Sequence, residues 1–108
     1  VATIPGGIVS FTLELLDRAK VFQGVESDYR LAQLLGVHPN NISNYRTGTS
    51  FPVNSIAWKL GELAGESPAL AVAGVNLDRA SNPEDRRIWR SLGAEILAAA
   101  KAREAAEG

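Results

Sequence analysis

Eight consecutive residues, Pro39 to Arg46, read PNNISNYR. They bring together three asparagines (Asn40, Asn41 and Asn44), Ser43 and Arg46. The chemistry open to such a set is recognition by hydrogen bonding: a carboxamide both donates and accepts, a hydroxyl does the same, and a guanidinium presents a fixed fork of donors. Asparagine is a poor residue for a helix interior, because its amide competes for the backbone. Yet Val37, Ile42 and Tyr45 have the spacing of the inner side of a short helix. The stretch is either a loop, or a helix whose amides are displayed to a partner.

Other chemistries find little support. The chain has no cysteine, which removes disulfides, thiolate metal sites and a cysteine nucleophile. His38 is the single histidine, cannot build a multi-histidine metal site, and has no orienting partner nearby in sequence. No pair of carboxylates flanks a candidate nucleophile, and no glycine-rich phosphate loop occurs. The expectation is a chain that is not an enzyme and holds no cofactor and no metal.

At 108 residues the length suits one domain with a real core, and 45% apolar with 21% charged residues is globular composition. The formal net charge is −1, so this is not a polybasic chain. Between Thr12 and Gly65 the charges balance: Arg18, Lys20, Arg30, Arg46 and Lys59 against Glu14, Asp17, Glu26, Asp28 and Glu62. Affinity for a polyanion must therefore come from local placement of charge. The longest apolar run, ALAVAGV at 69–75, is far short of the roughly 18 residues of a membrane span, and no membrane partner is expected. Residues 1–13 are uncharged but lack a basic leader and are broken by Pro5, Gly6 and Gly7, which argues against a signal peptide and for a cytoplasmic protein. Residues 1–11 read as an N-terminal extension whose Ile4, Ile8, Val9 and Phe11 either dock on the body or pair with a second chain.

The elements that must position the amides follow from caps and stops. A first helix is expected from Leu13 to about Phe22, with Thr12 as N-cap and Gly24 as terminator; Leu13, Leu16, Ala19 and Lys20 fall at helical spacing, and Leu15 widens the apolar stripe. A second begins after Ser27, carries Leu31, Ala32, Leu34 and Leu35, and ends at Gly36, the residue suited to a left-handed C′ position. Pro39 fits the first position of a third helix, because its missing N–H costs nothing there, and Gly48 ends that helix. PNNISNYR is thus expected to be helical; the alternative to a recognition role for its asparagines is a solvated polar face, with Asn40 or Asn41 helping to cap the helix. Asn54 or Ser55 caps a fourth helix through Ile56, Leu60, Leu63 and Ala64. Ser67-Pro68 opens a fifth through Leu70, Val72, Val75 and Leu77, and Asn82-Pro83 opens a last one carrying Ile88, Trp89, Leu92, Ile96 and Leu97. The fold class expected is all-α, a bundle of five to six helices.

The unit DYRLAQLLGVHPNNISNYRTG combines a small Ala32, a turn glycine at Gly36, branched Val37, Ile42 and aromatic Tyr45, then a glycine stop. In this order the residues resemble the helix-turn-helix of the Cro and cI repressor family. The continuation TGTSFPVNSIAWKLGELAG is similar to the exit, proline and amphipathic helix that follow in that family, so the resemblance covers roughly Leu13 to Ala64. The segment SPALAVAGVNLDRASNPEDRRIWRSLG also resembles small phage and prophage proteins that carry such a domain plus a helical C-terminal part. The organisation implied is a DNA-binding domain over 12–65 and a C-terminal helical extension over 66–108.

The resemblance implies that the third helix enters the major groove, where base edges present a distinguishable pattern of donors and acceptors. Asn40, Asn41, Ser43, Asn44 and Arg46 would then read bases, an asparagine amide pairing bidentately with adenine. Arg46 has two alternatives, a phosphate or an ion pair with a neighbouring carboxylate. Ser27, Tyr29 and Arg30 at the head of the second helix, and Thr47 and Thr49 after the third, would hold phosphates. Where such repressors usually place a glutamine the chain has Pro39, leaving the asparagines to carry recognition. A homodimer would couple two half-sites. Its surface would be the N-terminal extension or the last helix, where Ala94, Ala98 and Ala102 permit close approach; the alternative is that the apolar stripe of the last helix folds back on its own domain. The function implied is sequence-specific binding of double-stranded DNA as a phage or prophage transcriptional repressor in a bacterial cytoplasm. The alternative is a phage-encoded protein-interaction module, an inhibitor of a host factor or an antitoxin, on the same fold.

Overall fold

The computed structural model describes residues 10–107. All regular structure among them is helical: α1 (Phe11–Gln23), α2 (Asp28–Leu35), α3 (Pro39–Thr47), α4 (Asn54–Leu63), α5 (Pro68–Arg79) and α6 (Pro83–Glu107). The all-α bundle of the sequence reading is the architecture observed. None of these helices is long and apolar enough to cross a membrane. The docking expected of Ile4, Ile8 and Val9 lies outside the described residues.

The first helix starts two residues earlier than its sequence pattern suggests, so Ser10 and Phe11 belong to α1 and not to an extension. Ser10 is the N-cap, its Oγ accepting the Leu13 N–H at 3.3 Å. Thr12 is buried inside the first turn instead, because a distant carboxylate claims it. Asp78 of α5 accepts from the Thr12 N–H and the Thr12 hydroxyl, both at 2.7 Å. It also accepts from the Phe11 N–H and the Ser10 hydroxyl, both at 3.2 Å. A carboxylate on the free N–H groups of a helix start satisfies orphan donors and complements the dipole.

That bond belongs to a wider fact: α5 is an inner helix of the same body, packed on α1, α4 and α6. Of the apolar residues expected along it, Val75 is buried and Leu70, Val72 and Leu77 are half-buried, while Ala71, Ala73, Gly74 and Asn76 are buried as well. A helix covered on several sides needs small residues where neighbours cross. Gly61 of α4 shows why: a Cβ there would stand 2.7 Å from the Ala71 Cβ and 2.9 Å from the Pro68 Cα. Buried Asn76 is fully paired, donating to the Val72 carbonyl at 2.8 Å and to Asn54 Oδ1 at 2.9 Å, and accepting from Arg79 at 3.1 Å. Asn54 is thereby spent on α5. The N-cap of α4 is Val53, with no side-chain cap, rather than Asn54 or Ser55. Residues 12–65 and 66–79 thus form one packed unit.

The core is a single cluster uniting Leu15, Leu16 and Ala19 of α1, Leu31, Ala32 and Leu35 of α2, Ile42 and Tyr45 of α3, Ala57 and Leu60 of α4, and Ala71 and Val75 of α5. Each fully buried leucine or isoleucine contributes about 1.5–3 kcal/mol of transfer free energy. Only α6 stands apart. Asn82 caps it, its Oδ1 accepting the Asp85 N–H at 2.8 Å. It packs on α5, and none of its 25 residues is fully buried.

Candidate nucleic-acid interface

Two glycines shape the α2–α3 unit. Gly36, at φ +77°, closes α2: its N–H reaches the Ala32 carbonyl at 2.9 Å and the Val37 N–H reaches the same oxygen at 3.0 Å. This left-handed cap turns the chain within three residues and sends Leu31, Leu35 and Ile42 into one core. Gly48, also at φ +77°, closes α3 in the same way, with the Thr49 N–H on the Asn44 carbonyl at 3.0 Å. The stretch PNNISNYR is helical, and Pro39 takes its first helical position. The cap is His38 rather than Asn40 or Asn41: its Nδ1 accepts the Asn40 N–H at 3.0 Å.

With Ile42 and Tyr45 buried, the outer side of α3 is defined. Burial pushes the Tyr45 phenol above its ordinary pKa. Asn40, Asn41, Ser43 and Thr47 are exposed, and Asn44 is half-buried. Helical spacing aligns Asn40, Ser43, Asn44 and Thr47 on the side opposite the core, with Asn41 on a flank. No side-chain amide among the three makes a hydrogen bond to a described residue; they stand as open donors and acceptors.

Arg46 leaves this face. Its Nε and Nη2 grip the two Asp28 oxygens at 2.7 and 2.9 Å, and Nη2 also meets Asp17 at 3.0 Å. Of the roles considered for it, the ion pair is the one formed, and Arg46 is withdrawn from the base-reading set. Asp28 in turn holds Lys20 at 3.2 Å. The Arg46 hydrogen bonds hold the Asp28 carboxyl below its ordinary pKa against partial burial, with Lys20 adding to the effect, and Asp28 raises that of Arg46. This chain of two cations and two anions joins α1, α2 and α3 and is neutral.

The phosphate candidates divide. Ser27 is the N-cap of α2, its Oγ accepting the Arg30 N–H at 3.1 Å. Tyr29 is 59% exposed and Arg30 is exposed, with no ion pair among the described residues. Thr47 and Thr49 bond each other, Oγ1 to Oγ1 at 2.8 Å, and the Thr47 hydroxyl reaches the Asn44 carbonyl at 3.2 Å. An arriving phosphate would have to displace one of those bonds. Sequence reasoning passed over Lys59. It projects from α4, and its Nζ lies 3.9 Å from where a Cβ on Gly36 would stand, at the α2–α3 turn. Only an exposed lysine on the outer side of α4 could have signalled it.

Comparison with known proteins adds one relative of note. No family model matches the chain, and no solved structure matches it. The uncharacterized protein Gp-c of Pseudoalteromonas phage PM2 is 33% identical over 88 residues, covering 76% of this chain and 94% of that protein. Such coverage takes in most of the helical body together, not the α2–α3 unit by itself. The chain belongs to the family of the phage PM2 protein Gp-c.

Proposed function

We propose that this chain binds double-stranded DNA sequence-specifically, as a small phage or prophage transcriptional regulator with α3 in the major groove. The observation that carries the reading is the two-faced α3: Ile42 and Tyr45 lie in the core while Asn40, Ser43 and Asn44 line the other side and Asn41 a flank, with no amide of the three bonded to a described residue. Asn40, Asn41 and Asn44 then read base edges, adenine being the natural partner of a carboxamide. Ser43 permits close approach. Arg30 and Lys59 flank the helix as phosphate contacts, with Ser27, Tyr29, Thr47 and Thr49 contributing hydroxyls. Repression by occluding a promoter in the bacterial cytoplasm needs no catalytic group, and a phage relative fits a phage-borne regulator.

Among the described residues few cations flank α3, which implies modest affinity per protomer and a shallow dependence on salt. A homodimer would compensate by spanning two half-sites roughly 34 Å apart.

One observation favours a second reading, a protein-interaction module that inhibits a host factor or neutralises a toxin. The network of Asp17, Arg46, Asp28 and Lys20 cancels its own charge beside the recognition helix, which suits a protein partner better than a phosphate backbone. A titration of random-sequence duplex against salt separates the two. Binding at low salt that weakens with added salt supports the DNA reading; no binding at the lowest salt tested overturns it.

A further inference from the structure

The furrow between α5 and α6 is unused by the DNA reading. It consists of two adjoining grooves of about 210 and 260 Å³ that share Leu70 and Leu97. The first is apolar, with Phe11, Gly74 and Trp89 in its lining and Arg90 at its edge. The second runs past Ser67 to Lys101 and Glu104. Leu97, which lines both grooves, is 42% exposed and so remains available for contact.

Arg90, Leu97 and Glu104 stand seven residues apart, so they occupy one flank of α6 at intervals of two turns. Leu97 is the midpoint, with a cation on one side and an anion on the other, both exposed and neither in an ion pair among the described residues. The distance from Arg90 to Glu104 along the helix is about 21 Å. This arrangement complements itself under a two-fold rotation. Two α6 helices laid antiparallel, with the axis beside Leu97, bring leucine to leucine and place each Arg90 level with the other Glu104. Arg87 comes level with Glu107 in the same register. Ala94, beside Leu97 in the furrow, is small and exposed and leaves room for the approaching helix. A parallel pair would set arginine against arginine and glutamate against glutamate.

We propose that this furrow is a homodimer interface, in which a second copy lays its α6 antiparallel along α5 and α6 with Leu97 on the two-fold axis. Arg90 of each protomer pairs with Glu104 of the other. The proposal concerns the chain by itself and does not depend on DNA binding.

Sedimentation of the chain without DNA tests it, using Leu97→Glu, Arg90→Glu, Glu104→Arg and the double charge reversal. The wild type is expected to be dimeric in the micromolar range and Leu97→Glu monomeric, with unchanged helicity by circular dichroism because the residue is exposed. Each single reversal sets like charges together at two places and should weaken the dimer on the order of tenfold. The double reversal restores opposite charges and should return it to within about threefold of wild type. A monomeric wild type overturns the proposal and gives the furrow to a different occupant. A dimer that Leu97→Glu leaves intact, or one that the double reversal weakens as much as both singles combined, overturns it as well.

Discussion

Replacing Arg46 by alanine should unfasten three helices without touching the reading face. The guanidinium makes two short bonds to Asp28 and one contact to Asp17, joining α3 to α2 and α1. Hydrogen bonds to charged groups are worth about 1.5–3 kcal/mol net when well formed. The Arg46 and Asp28 side chains are 26% and 37% exposed, so solvent screening lowers that figure, and Asp17 at 66% adds little. The expected cost is about 2 kcal/mol, including the two carboxylates left with only Lys20 between them. For a domain of this size that lowers the melting temperature by roughly 10 °C. The effect has a pH signature. Because Arg46 depresses the Asp28 pKa in the folded state, the stabilisation is present above the ordinary value of 3.8 and is lost as pH falls through the depressed one. The gap in melting temperature between wild type and Arg46→Ala should therefore be full at neutral pH and shrink in the acid limb below 3.8. Thermal melts followed by circular dichroism measure both, and a double-mutant cycle with Asp28→Asn should show the two losses to be strongly non-additive. A melting temperature unchanged by Arg46→Ala, together with lost DNA binding, would refute the clamp and return Arg46 to the recognition surface.

Asn40→Ala and Asn44→Ala should each leave the melting temperature nearly unchanged and cost about 1–3 kcal/mol at the preferred DNA site, read by fluorescence anisotropy. Gly36→Val should destabilise by more than about 1–2 kcal/mol, because a β-branched residue resists the φ of +77° there, whereas Gly36→Asn should be milder in the same denaturant series. Asp78→Ala strips four donors at the start of α1 of their acceptor and should cost about 2–3 kcal/mol in urea unfolding. Hydrogen exchange should then show the first turn of α1 opening before the rest of the helix.

What was legible in the sequence is what depends on neighbours in the chain. Ser27 as a cap, Pro39 as a helix start, and Gly36 and Gly48 as left-handed stops all act over four or five residues, and each stands where its residue type suggests. The inner side of α3 was equally readable, from the spacing of Ile42 and Tyr45. The misreadings share a cause in contacts made across the fold. Thr12 looks like a cap until Asp78, 66 residues away, takes it into the first turn and leaves the capping to Ser10. Asn54 looks like a cap for α4 until Asn76 claims its amide oxygen. The buried small residues of α5 go unnoticed because close crossing by Gly61 rewards small side chains, which hydrophobic periodicity undervalues. Within the site the same rule divides the residues. Asn40 and Asn41 keep the exposure that their spacing implies, and Asn44 keeps part of it. Arg46 does not, because its carboxylate partners lie 18 and 29 positions earlier, on α2 and α1.

If the outer side of α3 reads DNA, selection of bound duplexes from a random-sequence pool recovers the site it prefers. The expected result is enrichment of a defined site containing adenines, arranged as two symmetric half-sites if the chain binds as a dimer, and loss of that preference in Asn40→Ala and Asn44→Ala. Recovery of no enriched sequence from the wild type, or of the same sequence with equal affinity by both asparagine variants, would contradict it.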